Sequence, residues 1–239
     1  MNELFIRSVK LNKEKQGLDD YLSALPAVKN LDCLELSKNV TFLVGENGTG
    51  KSTLLEAIAV CYGFNAEGGT KNFSFSSKET HSNLYDYITV VKGVKRPKDG
   101  FFLRAESFYN VATEVDRLEL VNSYGGKSLH EQSHGESFIT LVLNRFRGQG
   151  IYILDEPEAA LSPSRQMTLL AQINQLVKEG SQFIIATHSP ILMAYPGADI
   201  YMLDDAGMEI TAYEETEHYI LTKNFLDNPE QMLHYLFEG

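Results

Sequence analysis

GENGTGKST, residues 45–53, is the stretch on which the fold turns. It follows NVTFLVG, residues 39–45, whose continuous apolar character reads as a buried strand, and it opens the helical run LLEAIAVCY, which stops at Gly63. Gly45, Gly50, Lys51 and Ser52 fill the pattern G-x-x-x-x-G-K-[ST] in a strand, glycine loop, helix order. Glycines let such a loop curl until its N–H groups point at phosphate oxygens, and the helix start adds positive potential. Asn47, Gly48, Thr49, Gly50 and Thr53 form the cradle, Lys51 bridges the outer phosphates, and Ser52 Oγ is a Mg²⁺ ligand. The expected ligand is a nucleoside triphosphate.

Moving outward, GIYILDEP is an apolar run ending in acids, as a central parallel strand covered on both faces would be. Two adjacent carboxylates leaving a buried strand cost desolvation, and a metal ion offsets that cost. Asp155 is therefore a candidate Mg²⁺ ligand, through a water, and Glu156 the candidate base that orients and deprotonates the attacking water. SPSRQMTLLAQINQLVKEG reads as a helix capped by Ser162, with Pro163 first and Gly180 at its end. QFIIATHSP repeats the strand-to-helix design, with His188 at the strand's carboxyl end as a candidate γ-phosphate contact and catalytic residue beside Lys51 and Glu156. Strands alternating with helices predict an α/β domain on a mostly parallel sheet flanked by helices, with an antiparallel β portion.

The remaining stretches constrain less. The chain has 239 residues, 43% apolar and 22% charged, with a net charge of −11, so DNA contact would need a local basic patch. Two cysteines form no disulfide framework, and Cys61 reads as a small buried hydrophobe. The expectation is a cytoplasmic protein with no membrane-inserted segment. LFIRSVKLN reads as a strand, residues 64–83 as a polar loop, and LYDYITVVKG with DGFFLRAES as two strands around the turn VKRPKDG. Lys92, Lys95, Arg96 and Lys98 cluster there; a solvated hairpin tip is the simpler reading and a phosphate contact the alternative. The C-terminal segment, 216–239, is helical by pattern and expected to pack as a small lobe.

SHGES, residues 133–137, begins a helical run FITLVLNRFRGQ. Ser133 is a plausible N-cap, and Gly135 leaves backbone N–H groups uncovered at the positive end. The order GENGTGKST, SHGES, ILDEP, EAALSPS, IIATHSP resembles the Walker A, signature, Walker B, D-loop and H-loop of ABC-type ATPases within the P-loop NTPase superfamily. The resemblance implies one ATPase domain over 1–239, a helical signature region at about 107–148, and ATP as nucleotide. No N-K-x-D guanine-reading string is present. It also implies that Ser133, Gly135 and Glu136 meet the γ-phosphate held by a second copy, in an ATP-dependent head-to-tail homodimer. His134 and Glu136 stand where the family more often has glycine and glutamine, and Ser162 where it has aspartate. Glu106 matches the Q-loop position and a possible Mg²⁺ ligand, with a plain surface glutamate the equal alternative. Tyr21 is an adenine platform only by its place before the loop.

Glu106 and Ser133 are 27 positions apart, too few for the helical subdomain that docks transporter ATPases on membrane partners, and far too few for the long arms of chromosome-maintenance and break-repair relatives. The resemblance is to small stand-alone bacterial AAA-family ATPases related to SMC- and RecF-like heads. It implies ATP hydrolysis driving a conformational change in an unidentified protein or nucleic-acid partner, in DNA maintenance or phage defence. A transporter's nucleotide-binding subunit and a nucleotide-gated switch without turnover are the alternatives.

Overall fold

The computed structural model describes residues 4–15, 17–70 and 82–238. Its strands are β1 (Ile6–Leu11), β2 (Cys33–Glu35), β3 (Val40–Gly45), β4 (Ile88–Lys92), β5 (Asp99–Arg104), β6 (Gly150–Asp155), β7 (Gln182–Ala186), β8 (Asp199–Asp204) and β9 (Gly207–Ile210). Its helices are α1 (Asp20–Ala24), α2 (Pro26–Lys29), α3 (Lys51–Tyr62), α4 (Phe108–Arg117), α5 (His134–Arg145), α6 (Pro163–Lys178), α7 (Pro190–Met193), α8 (Glu217–Asp227) and α9 (Pro229–Glu238).

The larger sheet has the order β5-β6-β7-β3-β8-β9, parallel throughout except for β9 against β8. Every residue of β3, β6 and β7 is buried, because side chains alternate between two covered faces. Leu43, Ile151, Ile153 and Ile184 join the core under α3, whereas Phe42, Tyr152, Leu154, Phe183 and Ile185 join the core under α4, α5 and α6. This double burial is why the three segments read as unbroken apolar runs.

The smaller sheet, β2-β1-β4, is antiparallel. It corrects the hairpin expected around VKRPKDG: β4 pairs with β1 and β5 with β6, so the two strands lie in different sheets. Burial explains the parting. Phe101, Phe102 and Leu103 are buried on both faces and belong in the central sheet, while β4 buries only Ile88 and suits a half-solvated one. Part of the predicted loop at 64–83 falls on 71–81, outside the described residues; within the rest, Gly69 bridges Phe102 of β5 and 83–86 form a short 3₁₀ turn. Cys61 is half-buried rather than enclosed, with its Sγ donating to the Tyr85 carbonyl at 3.2 Å.

Side chains tie the two sheets together: Tyr201 Oη of β8 donates to the Glu35 carbonyl of β2 at 2.6 Å. Buried Gln182, at the start of β7, accepts from the Phe5 and Ile6 amides, both at 2.9 Å, and its own amide donates to the Ile6 carbonyl at 2.8 Å. Residues 107–148, the expected helical signature region, contain α4, two 3₁₀ turns at 121–124 and 129–131, and α5. In the C-terminal segment, read as a helical lobe, α8 and α9 form and neither carries a buried residue. Among the described residues, no helix is long and apolar enough to cross a membrane.

Gln182→Leu keeps the side-chain volume but leaves buried amides of β1 without acceptors, and should cost roughly 2–4 kcal/mol. A thermal melt followed by circular dichroism should show a fall of several degrees; an unchanged midpoint would remove this residue from the inter-sheet account.

Candidate functional site

Residues 45–53 run from the end of β3 through a glycine-rich turn into α3. Gly50 has φ 91° and its position presses on α2, where a Cβ would sit 3.1–3.2 Å from Ala27 and Leu25 side-chain carbons. Only glycine meets both demands. Thr49 Oγ1 donates to the Glu46 carbonyl at 2.9 Å, and the Ala27 amide donates to the Thr49 carbonyl at 2.9 Å, fixing the loop on both sides. Asn47 and Gly48 are exposed at its rim, Thr53 is partly so. Lys51, the first residue of α3, is buried, and its Nζ donates to the carbonyls of Gly45 (2.7 Å) and Glu46 (2.9 Å). Burial lowers its pKa, opposed by the charges of Glu156 and Asp155.

Ser52 and Asp155 meet. Ser52 Oγ donates to Asp155 Oδ1 at 2.8 Å, joining the first turn of α3 to the end of β6 across the width of β7. Asp155 is buried, and desolvation pushes its pKa up to about 6 against the opposing pull of Arg104. Glu156 follows with φ 48° and ψ 50°, a left-handed backbone that non-glycine residues adopt only when their surroundings enforce it. Its amide donates to the Ala186 carbonyl at 3.0 Å, and its Oε1 lies 3.5 Å from His188 Nε2. The His188 amide donates to Glu158 Oε1 at 2.5 Å, which locks the end of β7 to the turn after β6. Lys51, Ser52, Asp155, Glu156 and His188 thus converge beyond the carboxyl ends of β3, β6 and β7.

Glu106 is placed differently from a free ligand. Its carboxylate is paired with Arg104 Nη2 and its side chain is 71% exposed. Arg104, at the end of β5, is the member sequence reasoning missed. Its Nη1 bonds Glu56 Oε2 at 2.7 Å and its Nε lies 3.5 Å from Asp155 Oδ2. One signal could have revealed it: Glu56 sits inside the apolar helical run LLEAIAV, and a buried carboxylate calls for a cation. Tyr21 is exposed on α1 and lines, with Ser52, Thr53, Asn83 and Arg104, a cavity of about 520 Å³ beside the loop.

Ser133, Gly135 and Glu136 stand apart from this cluster. Among the described residues, no hydrogen bond joins them to residues 45–53. The expected bare helix start is partly covered, because the Glu136 carboxylate accepts from the Ser133 amide (3.1 Å) and Oγ (2.7 Å) in a capping box and pairs with Arg165 at 3.2 Å. The amides of His134 and Gly135 have no acceptor among the described residues. Gly135 is buried where a Cβ would lie 2.7 Å from the Ala160 carbonyl, so it also lets α5 approach the turn at 157–160. Ser162 is the N-cap of α6, without a side-chain capping bond.

The AAA domain family matches residues 21–187, most of the chain and all of this site except its C-terminal edge at His188. The chain belongs to that family. The chain is 26% identical over 198 residues to the ribose import ATP-binding protein RbsA of Bacillus cereus, matching 73% of this chain and 39% of that protein. It is 30% identical over 183 residues to the nucleoside import ATP-binding protein NupA of Lactococcus lactis, covering 65% of this chain and 34% of that one. The chain therefore spans under half the length of these relatives. Among solved structures, cbiO1 from Clostridium perfringens, described as part of the ABC transporter complex cbiONQ, aligns over 99% of this chain and 100% of its own with a TM-score of 0.52 at 20% identity. The ATPase head is an ATP-binding, ABC-type P-loop protein with the mixed α/β fold of that group.

Because Asp155 has its carboxyl pKa raised on folding, its ionised form opposes folding at neutral pH, and that opposition fades as pH falls toward 4. Asp155→Asn should raise Tm at pH 7 by a few degrees, given about 2–4 °C per kcal/mol for chains of this size. The gain should close near pH 4. A lower Tm at pH 7 would contradict the desolvation of this site.

Proposed function

We propose that the ATPase head hydrolyses Mg-ATP, with the triphosphate lying along Asn47 to Thr53 and its γ-phosphate facing Lys51, Glu156 and His188. The observation that carries this is the meeting of Ser52 and Asp155 at 2.8 Å with Glu156 and His188 alongside. The donors at that point are a hydroxyl and a carboxylate, hard oxygens that suit Mg²⁺, which keeps several waters and takes one or two protein ligands beside phosphate oxygens. Bound there, the ion would neutralise phosphate charge as the terminal bond breaks. Ser52 and Asp155 would hold it, and Glu106 would join only by leaving Arg104.

The residues divide the work. Lys51 exchanges its loop carbonyls for the outer phosphates. Glu156, partly exposed and held in a strained backbone at the strand end, orients a water and takes its proton. His188 donates to the γ-phosphate. Burial lowers its pKa, with Lys51 adding to that, so it is neutral at pH 7 and acts as a hydrogen-bond donor rather than a charge. Tyr21 is the candidate surface for adenine, supported by its place in the cavity beside Ser52 and Thr53.

The signature residues act in trans. Ser133 and His134 are exposed, and the His134 and Gly135 amides lack acceptors, which supports contact with the γ-phosphate of a second copy in a head-to-tail, ATP-dependent homodimer. Closing and opening of that dimer would then move a protein or nucleic-acid effector, in DNA maintenance or phage defence. A second reading, the nucleotide-binding subunit of an importer, is favoured by the names of RbsA and NupA. Against it stands the short signature region, a single helix and two turns before α5. Co-purification with a membrane protein would support the importer reading.

Glu156→Gln should bind ATP, release phosphate roughly 10²- to 10⁴-fold more slowly, and accumulate a dimer by light scattering. Wild-type turnover in this variant would end the assignment of Glu156 as base. Ser133→Arg should keep nucleotide affinity and lose hydrolysis, and its mixture with Lys51→Ala should recover at most half of the sites; monomers acting independently in that mixture would refute contact in trans.

A further inference from the structure

α8 reaches the site through one residue. His218 Nε2 lies 3.1 Å from His188 Nδ1, with ring centroids 5.2 Å apart. The other ring nitrogen of His188, Nε2, points to Glu156 at 3.5 Å. Sequence reading had no reason to choose His218, which sits in an ordinary helical pattern 30 residues after His188.

The pairing constrains protons as well as position. Two neutral imidazoles in contact share one hydrogen, so one nitrogen donates and the other accepts. Burial lowers both pKa values; Lys51 lowers both further, and Glu46 opposes, joined by Glu156 at His188 and Glu217 at His218. With His218 Nε2–H as donor, His188 Nδ1 is the acceptor and its proton must sit on Nε2, the nitrogen on the Glu156 side. His188 Nε2 and His218 Nδ1 are both buried without a hydrogen-bond partner, so the choice is decided by what lies nearby, and His188 Nε2 has the Glu156 carboxylate at 3.5 Å. The reverse assignment would put a bare His188 Nε2 against a carboxylate and a phosphate, two groups that both need a donor.

The backbone around His218 is pinned to the same loop. Tyr213 Oη donates to the Pro190 carbonyl at 2.9 Å, two residues beyond His188. Thr216, fully buried, donates from Oγ1 to the Tyr213 carbonyl at 2.7 Å and accepts from the Tyr219 amide at 3.3 Å, capping α8. Past this base no residue of α8 or α9 is buried, and Leu221, Leu226 and Leu236 are at least half exposed. α8 is a helix anchored at its first turn on the loop that carries His188 and exposed along the rest of its length.

We propose that His218 is a positioning residue for hydrolysis: its Nε2–H donates to His188 Nδ1, holding the His188 ring and proton toward the γ-phosphate, so that turnover depends on docking of the first turn of α8. This rests on the reading of His188 as a γ-phosphate contact. Displacing α8 at its base slows the chemical step without loosening the nucleotide.

The test compares His218→Gln, whose amide nitrogen can donate to Nδ1, with His218→Met, of similar volume but without a donor, in the full-length protein. His188→Ala and the His188→Ala/His218→Met pair complete the set. With Mg-ATP, His218→Met should lower kcat about tenfold while KM and Tm stay close to wild type, and His218→Gln should recover most of kcat. In the His188→Ala background His218→Met should change nothing further. Wild-type kcat in His218→Met, equal loss in Gln and Met, or independent multiplication of the two losses would each overturn the proposal while leaving the site reading intact. Wild-type turnover in His188→Ala would instead remove the site reading on which the proposal rests.

Discussion

The hydrogen bond from Ser52 to Asp155 is the contact on which the candidate site depends. It spans from the first turn of α3, which follows β3, to the last residue of β6, with β7 lying between the two strands. Holding two side chains at 2.8 Å across such a gap requires strands that neither slide nor splay. That rigidity comes from burial on both sheet faces, where every residue of β3, β6 and β7 is enclosed by two cores of alternating side chains. Parallel strands also bring all their carboxyl ends to one edge, so the groups that leave them share a single small volume.

Charge in that volume is arranged with little slack. Asp155 is buried at an energetic cost, relieved by Ser52 and by Arg104, whose guanidinium also holds Glu56 and Glu106. Lys51 is wrapped by two loop carbonyls, and Glu156, in an unfavourable backbone conformation, donates a hydrogen bond from its amide to the Ala186 carbonyl. In the proposed complex an incoming cation and triphosphate would relieve these costs, the phosphates taking over the lysine and the cation the carboxylate. A site poised in this way would bind its ligand using interactions that the fold has left strained or desolvated.

Much of this was legible in the sequence because its signals are local. GENGTGKST carries its own backbone demands, ILDEP and IIATHSP pair an apolar strand with a polar end, and Ser162 with Pro163 announces a helix start. Relations between distant segments were not legible. The strands flanking VKRPKDG looked like a hairpin, since sequence proximity favours pairing, yet the deeper burial of Phe101 and Phe102 draws β5 into the central sheet. Arg104 was concealed in the run FFLRA, its meaning set by Glu56 on another element. His218 is farther still from any motif, and only the fold of the C-terminal segment brings it to His188. Glu136 was legible as part of the signature but also serves the helix as a cap, a second role that the S-x-x-E spacing encodes.

The most direct test of the central claim is a crystal structure of the protein with Mg²⁺ and a non-hydrolysable ATP analogue. The account predicts one ion held at Ser52 and Asp155, the terminal phosphate against Lys51 and His188, and Ser133 of a second copy closing over it. Nucleotide bound away from residues 45–53, or an ion held by neither Ser52 nor Asp155, would contradict it.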